Sequence, residues 1–158
     1  MLEIIRFDDI EVETDTGDFE SYDVKILEKS SLFKINDIML KSKYTALVTF
    51  RGKGFQRKIE YAAISKKKIY RLIERNVSIR LENVYIKSFS ISEYKEQRQL
   101  DKYEDITLKS FDAEQCFFDK GFDLSMTEIL SNSSKYNDTI FAGGFIDFRI
   151  TYFKGIDT

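Results

Sequence analysis

The chain of 158 residues contains no histidine, no proline and no tryptophan, and it has a single cysteine. Without histidine it lacks the commonest general base, the usual triad partner and the commonest metal ligand. Enzyme activity is therefore not expected. One cysteine excludes an intrachain disulfide and makes a reducing compartment the default. No apolar run approaches the roughly 18 residues of a membrane-spanning helix. The N-terminal Met-Leu-Glu-Ile-Ile has neither the basic start nor the long apolar core of a secretory signal. A cytoplasmic protein with no membrane partner is the expectation. Net charge is −2, so the molecule as a whole exerts little pull on nucleic acid or anionic lipid.

Other absences narrow the chemistry. Arg51-Gly-Lys-Gly54 is not a phosphate loop, because the Gly-Lys-Ser/Thr ending and the following helix are missing. Asp8-Asp9 and Asp15/Asp18 lack EF-hand spacing and read as a solvated acidic face rather than a cation site. No metal or other cofactor is expected. Cys116 falls at an inward position of the pattern described below, where cysteine behaves as a small hydrophobe.

What the sequence does hold is aromatic: 14 Phe and 9 Tyr, with 42% hydrophobic and 33% charged residues. This is the make-up of a globular chain long enough for one domain or two small ones, and aromatic residues favour the half-buried surface of a sheet. Charge is unevenly spread. Residues 1–23 carry nine acids and one base, Arg6, whereas residues 51–76 carry nine bases against Glu60 and Glu74. The bases are Arg51, Lys53, Arg57, Lys58, Lys66, Lys67, Lys68, Arg71 and Arg75. Either the two segments neutralise one another or the basic one is a docking face.

Taken in order, Leu2–Phe7 and Ile10–Val12 read as strands, with a turn between Thr14 and Glu20 around Gly17. Tyr22–Leu27 is a third strand, and Leu32–Leu40 fits either a strand or a short helix. Tyr44–Phe50 and Phe55–Tyr61 form a hairpin, with glycines at both turn positions and Arg51 and Lys53 at its tip. Ser65–Asn76 is a helix. Ser65 caps its start, Ile69, Leu72 and Ile73 share one face, and Asn76 ends it in the left-handed conformation. Three lysines in its first turn oppose the helix dipole.

From Ile79 onward a five-residue beat recurs: apolar, any, apolar, any, any. Ile79, Leu81, Val84, Ile86, Phe89 and Ile91 keep it, as do Ile106, Leu108, Phe111, Ala113, Cys116 and Phe118. A plain strand alternates every second residue. This beat instead describes a short extended stretch and then a corner, repeated as the chain coils about its own apolar axis. The pieces Phe122-Asp-Leu-Ser-Met-Thr-Glu-Ile129 and Ile146-Asp-Phe-Arg-Ile-Thr-Tyr-Phe153 resemble pentapeptide-repeat proteins.

Carried over position by position, the central residues are Leu81, Ile86, Ile91, Leu108, Ala113, Phe118, Leu124, Ile129, Phe148 and Phe153. Those two before are Ile79, Val84, Phe89, Ile106, Phe111, Cys116, Phe122, Thr127, Ile146 and Thr151. The resemblance implies a right-handed, four-sided β-solenoid of about 20 residues per coil over residues 78–158. Before it, residues 1–77 would form a small β/α portion with hairpin 44–61 and helix 65–76. Large side chains stand where the family prefers small ones (Phe89, Phe111, Phe122), and the phase slips at Asp119–Gly121. Residues 93–105 read as a loop or short exposed helix, and residues 130–144 as a surface excursion. A β-sandwich that imitates the beat is the alternative.

Two functional readings follow. In the first, the chain is a non-enzymatic protein-binding scaffold or inhibitor module; some pentapeptide-repeat proteins mimic DNA and inhibit or protect topoisomerases. Its partner would meet Asp112, Asp123 and Asp147, which occupy equivalent outward positions on the solenoid wall. In the second, the nine bases of 51–75 bind a nucleic acid or nucleotide through phosphate, with Tyr61 and Tyr70 as stacking partners. The beat runs to Gly155-Ile-Asp-Thr158 without a capping element. This predicts either a homo-oligomer joined through the C-terminal coil or a piece of a longer repeat protein.

Overall fold

The computed structural model describes residues 2–7, 10–15, 19–125, 127–130, 135–142, 146–147 and 152–153. The fold is mainly β, with mixed sheets and two helices among these residues. Strands β1 (Leu2–Phe7) and β2 (Ile10–Asp15) form an antiparallel hairpin, and β3 (Ser21–Leu27) follows. The ambiguous stretch is a second hairpin, β4 (Ser31–Ile35) and β5 (Ile38–Ser42). Its two-residue loop explains the choice, since Asn36 (φ 52°) and Asp37 (φ 65°) both accept the left-handed conformation a tight hairpin needs. The Asn36 side chain also ties the loop to the next sheet strand, donating to Ser78 O (2.6 Å) and accepting from Arg80 N (2.8 Å).

The predicted hairpin is β6 (Tyr44–Gly52) and β7 (Phe55–Ala63). Only one of its two glycines takes the turn role. Gly54 has φ 75°, whereas Gly52 pairs with Phe55 inside the ladder. Helix α1 (Lys66–Glu74) is capped by Ser65, whose side chain accepts from Lys67 N, and Asn76 (φ 53°) stops it as expected. Ile69, Tyr70 and Ile73 sink into the main core.

After α1 the described residues form twelve short strands. The first four are β8 (Ile79–Glu82), β9 (Val84–Ile86), β10 (Phe89–Ser90) and β11 (Ile106–Leu108). Helix α2 (Ile91–Gln97) is inserted between β10 and β11. Next come β12 (Phe111–Glu114), β13 (Phe117–Phe118), β14 (Phe122–Asp123) and β15 (Thr127–Ile129). The last four are β16 (Lys135–Asn137), β17 (Ile140–Phe141), β18 (Ile146–Asp147) and β19 (Tyr152–Phe153). The chain visits four parallel ladders in one order, three times: β8-β12-β16, β9-β13-β17, β10-β14-β18 and β11-β15-β19. Register advances from Ile106 to Thr127 and from Phe117 to Ile140, close to four of the five-residue beats. From Tyr85 to Phe117 it advances further, because α2 and its loop are spliced into that circuit.

From Ile79 to Ile129 every residue assigned to an inward position of the beat is buried except Ile106, which is partly buried against the same core. The large residues at the positions two before the centres fit by packing ring against ring. Phe122 lies 4.7 Å from Phe118, 5.0 Å from Phe141 and 5.5 Å from both Phe89 and Phe111, centroid to centroid. Such pairs add to their burial when offset or edge-to-face. Within the stretch read as a surface excursion, residues 135–142 are built into the sheets, and 131–134 and 143–144 lie outside the described residues. Residues 135–142 carry β16 and β17, and Tyr136, Thr139 and Phe141 fill the inward positions of a third circuit. Likewise 93–105 is not simply exposed. Tyr94 and Lys95 of α2 are buried, and α2 packs on α1 through Tyr70–Tyr94 (5.5 Å) and the ion pairs Lys66–Glu93 and Glu74–Arg98.

Strands on the two sides of residue 77 pair with one another. Strand β7 pairs parallel with β9, β4 antiparallel with β8, and β2 parallel with β16. The hairpin β6–β7 and β3 curl back over the outer side of the β9-β13-β17 ladder. There Tyr85, Phe117 and Ile140 form a second core with Ala46, Val48, Phe50 and Tyr61. The outer edge of β16 is taken by β2. Residues 154–158 lie outside the described residues.

Candidate functional site

The seven-stranded sheet (order β1-β2-β16-β12-β8-β4-β5) carries charge along its outer side. Alternation sends Ile79, Leu81, Phe111, Ala113 and Tyr136 inward, where all are buried. Arg80, Glu82, Asp112, Glu114, Lys135 and Asn137 consequently face out. Parallel pairing in register aligns them in rows: Lys34, Glu82, Glu114 and Asn137 in one, Arg80 and Asp112 in another. Glu82 and Glu114 are directly apposed, an unfavourable like-charge pair. Arg80 offsets it, reaching Glu82 at 3.8 Å, Glu114 at 3.7 Å and Asp37 at 3.7 Å. Two shallow concavities cross this face. One of about 410 Å³ lies among Arg80, Asp112, Ala113, Glu114, Lys135 and Asn137. The other, about 450 Å³, is bordered by Leu32, Phe33, Lys34, Met39, Glu82, Asn83, Glu114 and Gln115. Glu114 belongs to both.

The three acids expected to meet a partner do not form one surface. Asp112 stands on this face, half-buried, and its Oδ1 accepts from Lys135 N at 2.8 Å. Burial pushes its carboxyl above the ordinary value, opposed by that N–H and by the charges of Arg80 and Lys135. Asp123 lies on a different ladder, paired with Ser90 and Asp147, and is only 4% exposed. Its carboxylate accepts from Ser90 Oγ (2.8 Å), Ser125 N (2.8 Å) and Ser92 N (3.3 Å). Burial alone would raise its pKa, but the hydrogen bonds from Ser125, Ser90 and Ser92 outweigh it and hold the group below its ordinary value. Asp123 thus anchors the start of α2 and is closed to a partner. The Asp147 side chain, like those of Asp8, Asp9, Asp15 and Asp18, lies outside the described residues.

The nine bases are scattered over several surfaces. Arg51 and Lys53 are exposed at the β6–β7 tip, where Arg51 meets Asp23 at 3.3 Å. Arg57 and Lys58 are exposed consecutive residues of β7 and so project to opposite faces. Lys66 is drawn to Glu93 of α2. Lys67, Lys68, Arg71 and Arg75 remain exposed on α1 and its cap, with Lys67, Arg71 and Arg75 in one line at i, i+4. The expected stacking tyrosines are unavailable. Tyr61 (2% exposed) packs on Phe117, and Tyr70 (0%) donates to Ser90 O at 3.1 Å.

Two features lie beyond the sequence reading. At the slip Asp119–Gly121 the Asp119 carboxylate is buried between two phenols, accepting from Tyr22 Oη and Tyr85 Oη, each at 2.5 Å. The clamp fastens β3 to the corner after β13. Burial, then the hydrogen bond and charge of Asp119, push the Tyr22 hydroxyl up to about 12 and raise that of Tyr85 as well. The second feature is a recurring corner. Asn83 (φ 60°), Gln115 (φ 52°) and Asp138 (φ 51°) each adopt the left-handed conformation between the first and second strands of a circuit. The backbone N–H groups of Asn83 and Gln115 donate to Glu114 O and Asn137 O on the next strand, both at 3.0 Å. An Asn, Gln or Asp before Val84, Cys116 and Thr139 is the signal that marks them. Cys116 is fully buried and its thiol is pushed up to about 12 by desolvation.

Among the described residues no helix is long and apolar enough to cross a membrane. No protein-family model matches the chain, and no curated protein or solved structure is significantly similar to it.

Proposed function

We propose that the chain is a non-enzymatic protein-binding scaffold of the degenerate pentapeptide-repeat kind. In this reading β8–β19 wind as a right-handed, four-sided β-solenoid, and the outer wall of β4, β8, β12 and β16 docks another protein. The observation that carries the proposal is the in-register stacking of exposed charge on that wall. Strands held about 4.8 Å apart fix rows of Lys, Glu, Asp and Arg in place before any partner arrives, so little side-chain ordering is left to oppose binding. Acid and base alternate over the wall, which suits a protein surface of mixed charge better than a phosphate backbone. An inhibitor role follows where the docked surface belongs to an enzyme.

The test compares affinity capture by three forms: wild type, the wall variant Glu114→Lys and the helix variant Arg71→Glu. The proposal expects one protein to be retained by wild type and by Arg71→Glu and lost from Glu114→Lys, with circular dichroism unchanged in all three. Loss from Arg71→Glu with retention by Glu114→Lys would move the site to the basic helix. Salt-sensitive binding of a generic duplex at low ionic strength would then point to phosphate contact.

A further inference from the structure

Strand β5 is the outermost strand of the seven-stranded sheet, opposite the edge formed by β1, and among the described residues nothing pairs with its free side. It is also unusually apolar for an open edge. Ile38, Met39 and Leu40 are consecutive and are 63%, 54% and 37% exposed. Soluble proteins generally blunt such edges with charge, proline or a covering segment, because unpaired N–H and C=O groups beside apolar side chains recruit another strand.

Which groups are free follows from the hairpin register. Ile35 pairs with Ile38 across the two-residue loop, Phe33 with Leu40 and Ser31 with Ser42. The pair flanking a two-residue loop is hydrogen-bonded, and bonded pairs alternate along the ladder. The backbones of Ile38, Leu40 and Ser42 therefore bond inward to β4, and those of Met39 and Lys41 point to the open side. A strand that satisfies all four free groups must set its own two outward residues against Met39 and Lys41.

We propose that this edge pairs antiparallel with β5 of a second copy, about a two-fold axis at Leu40. Met39 then faces the partner strand's Lys41, and each pair exchanges two backbone hydrogen bonds. Leu40 packs against its own counterpart in the close, non-bonded position between them. This register keeps Lys41 away from its own copy. It also brings Asp37 (side chain 73% exposed) opposite Lys43, which is exposed, at both ends of the ribbon. A symmetric contact of this kind closes on itself as a dimer. It does not depend on what the charged wall binds, and it lies at the other edge of the sheet from the C-terminal coil.

Two experiments test it. Leu40→Cys should give a covalent dimer on mild oxidation, since the two sulfurs would meet in a geometry that disulfides accept. Ile26→Cys, on the edge strand β3 of the six-stranded sheet, should give no covalent dimer under the same oxidation, and buried Cys116 does not interfere. In sedimentation equilibrium, Asp37→Lys should raise the dimer dissociation constant by about tenfold, and adding Lys43→Asp should restore it, as expected of a repulsion relieved by charge reversal. A wild-type protein that stays monomeric throughout the concentration range would overturn the proposal. So would a dimer indifferent to Asp37→Lys, or equal cross-linking through Ile26→Cys.

Discussion

Replacing Tyr22 by Phe deletes one oxygen and leaves the ring in place, so it isolates the clamp on Asp119. Tyr22 Oη lies 2.5 Å from one carboxylate oxygen and Tyr85 Oη 2.5 Å from the other, and Asp119 itself is 4% exposed. Hydrogen bonds to a charged group contribute roughly 1.5–3 kcal/mol, and a buried carboxylate that loses a donor keeps its desolvation cost. Tyr22→Phe should therefore cost about 1.5–2 kcal/mol and Tyr85→Phe, deeper in the second core, about 2–3 kcal/mol. The aromatic packing of Tyr22 on Phe117 (5.5 Å) is retained in the first variant, so packing loss does not obscure the reading.

The assay is urea unfolding followed by far-ultraviolet circular dichroism, in a double-mutant cycle with Asp119→Asn. Coupling of about 1 kcal/mol or more is expected for groups in direct contact. The same clamp sets an alkaline limit. The unfolded chain releases the Tyr22 proton near the ordinary value of 10.0, whereas the folded chain holds it to about 12. Its stabilising contribution is complete below pH 10 and is lost as pH rises from 10 to 12, so Tyr22→Phe should flatten that decline. A Tyr22→Phe protein within 0.3 kcal/mol of wild type, with no coupling to Asp119, would refute the claim that β3 is fastened across the ladder.

Two further outcomes follow from the interior and its corners. Asn83→Val forces a β-branched residue into φ 60° and should cost about 1–3 kcal/mol by thermal or urea unfolding, while Asn83→Gly should cost distinctly less. Cys116, buried and with its thiol raised to about 12, should resist iodoacetamide in the native protein and react fully in denaturant. Rapid native labelling would place it outside the core.

Much of the second half was legible because burial there is set by local spacing. Residues from Ile79 to Ile129 that keep the beat all lie against one core, since each short strand must turn inward every two or three residues whatever surrounds it. Helix α1 was legible for the same reason, its caps Ser65 and Asn76 being local chemistry. The first half of the third circuit escaped because its inward residues, Tyr136, Thr139 and Phe141, include a tyrosine and a threonine amid polar neighbours. The fates of Asp123 and of the outward Tyr85 and Phe117 are long-range matters. They depend on α2 closing over one ladder and on β3 and β6 folding back over another, which no short-range pattern encodes. The charged wall was half visible. Asp112 was named, but Arg80 and Glu114 join it only through a parallel register that pairs residues of separate circuits.

That parallel register is also what a single measurement can settle most directly. In nuclear Overhauser spectra of isotope-labelled protein, parallel pairing of Ile79 with Phe111 and of Phe117 with Ile140 predicts amide-to-α-proton contacts between successive circuits. Close contacts between α-protons of those strands, the mark of antiparallel neighbours in two facing sheets, would contradict it.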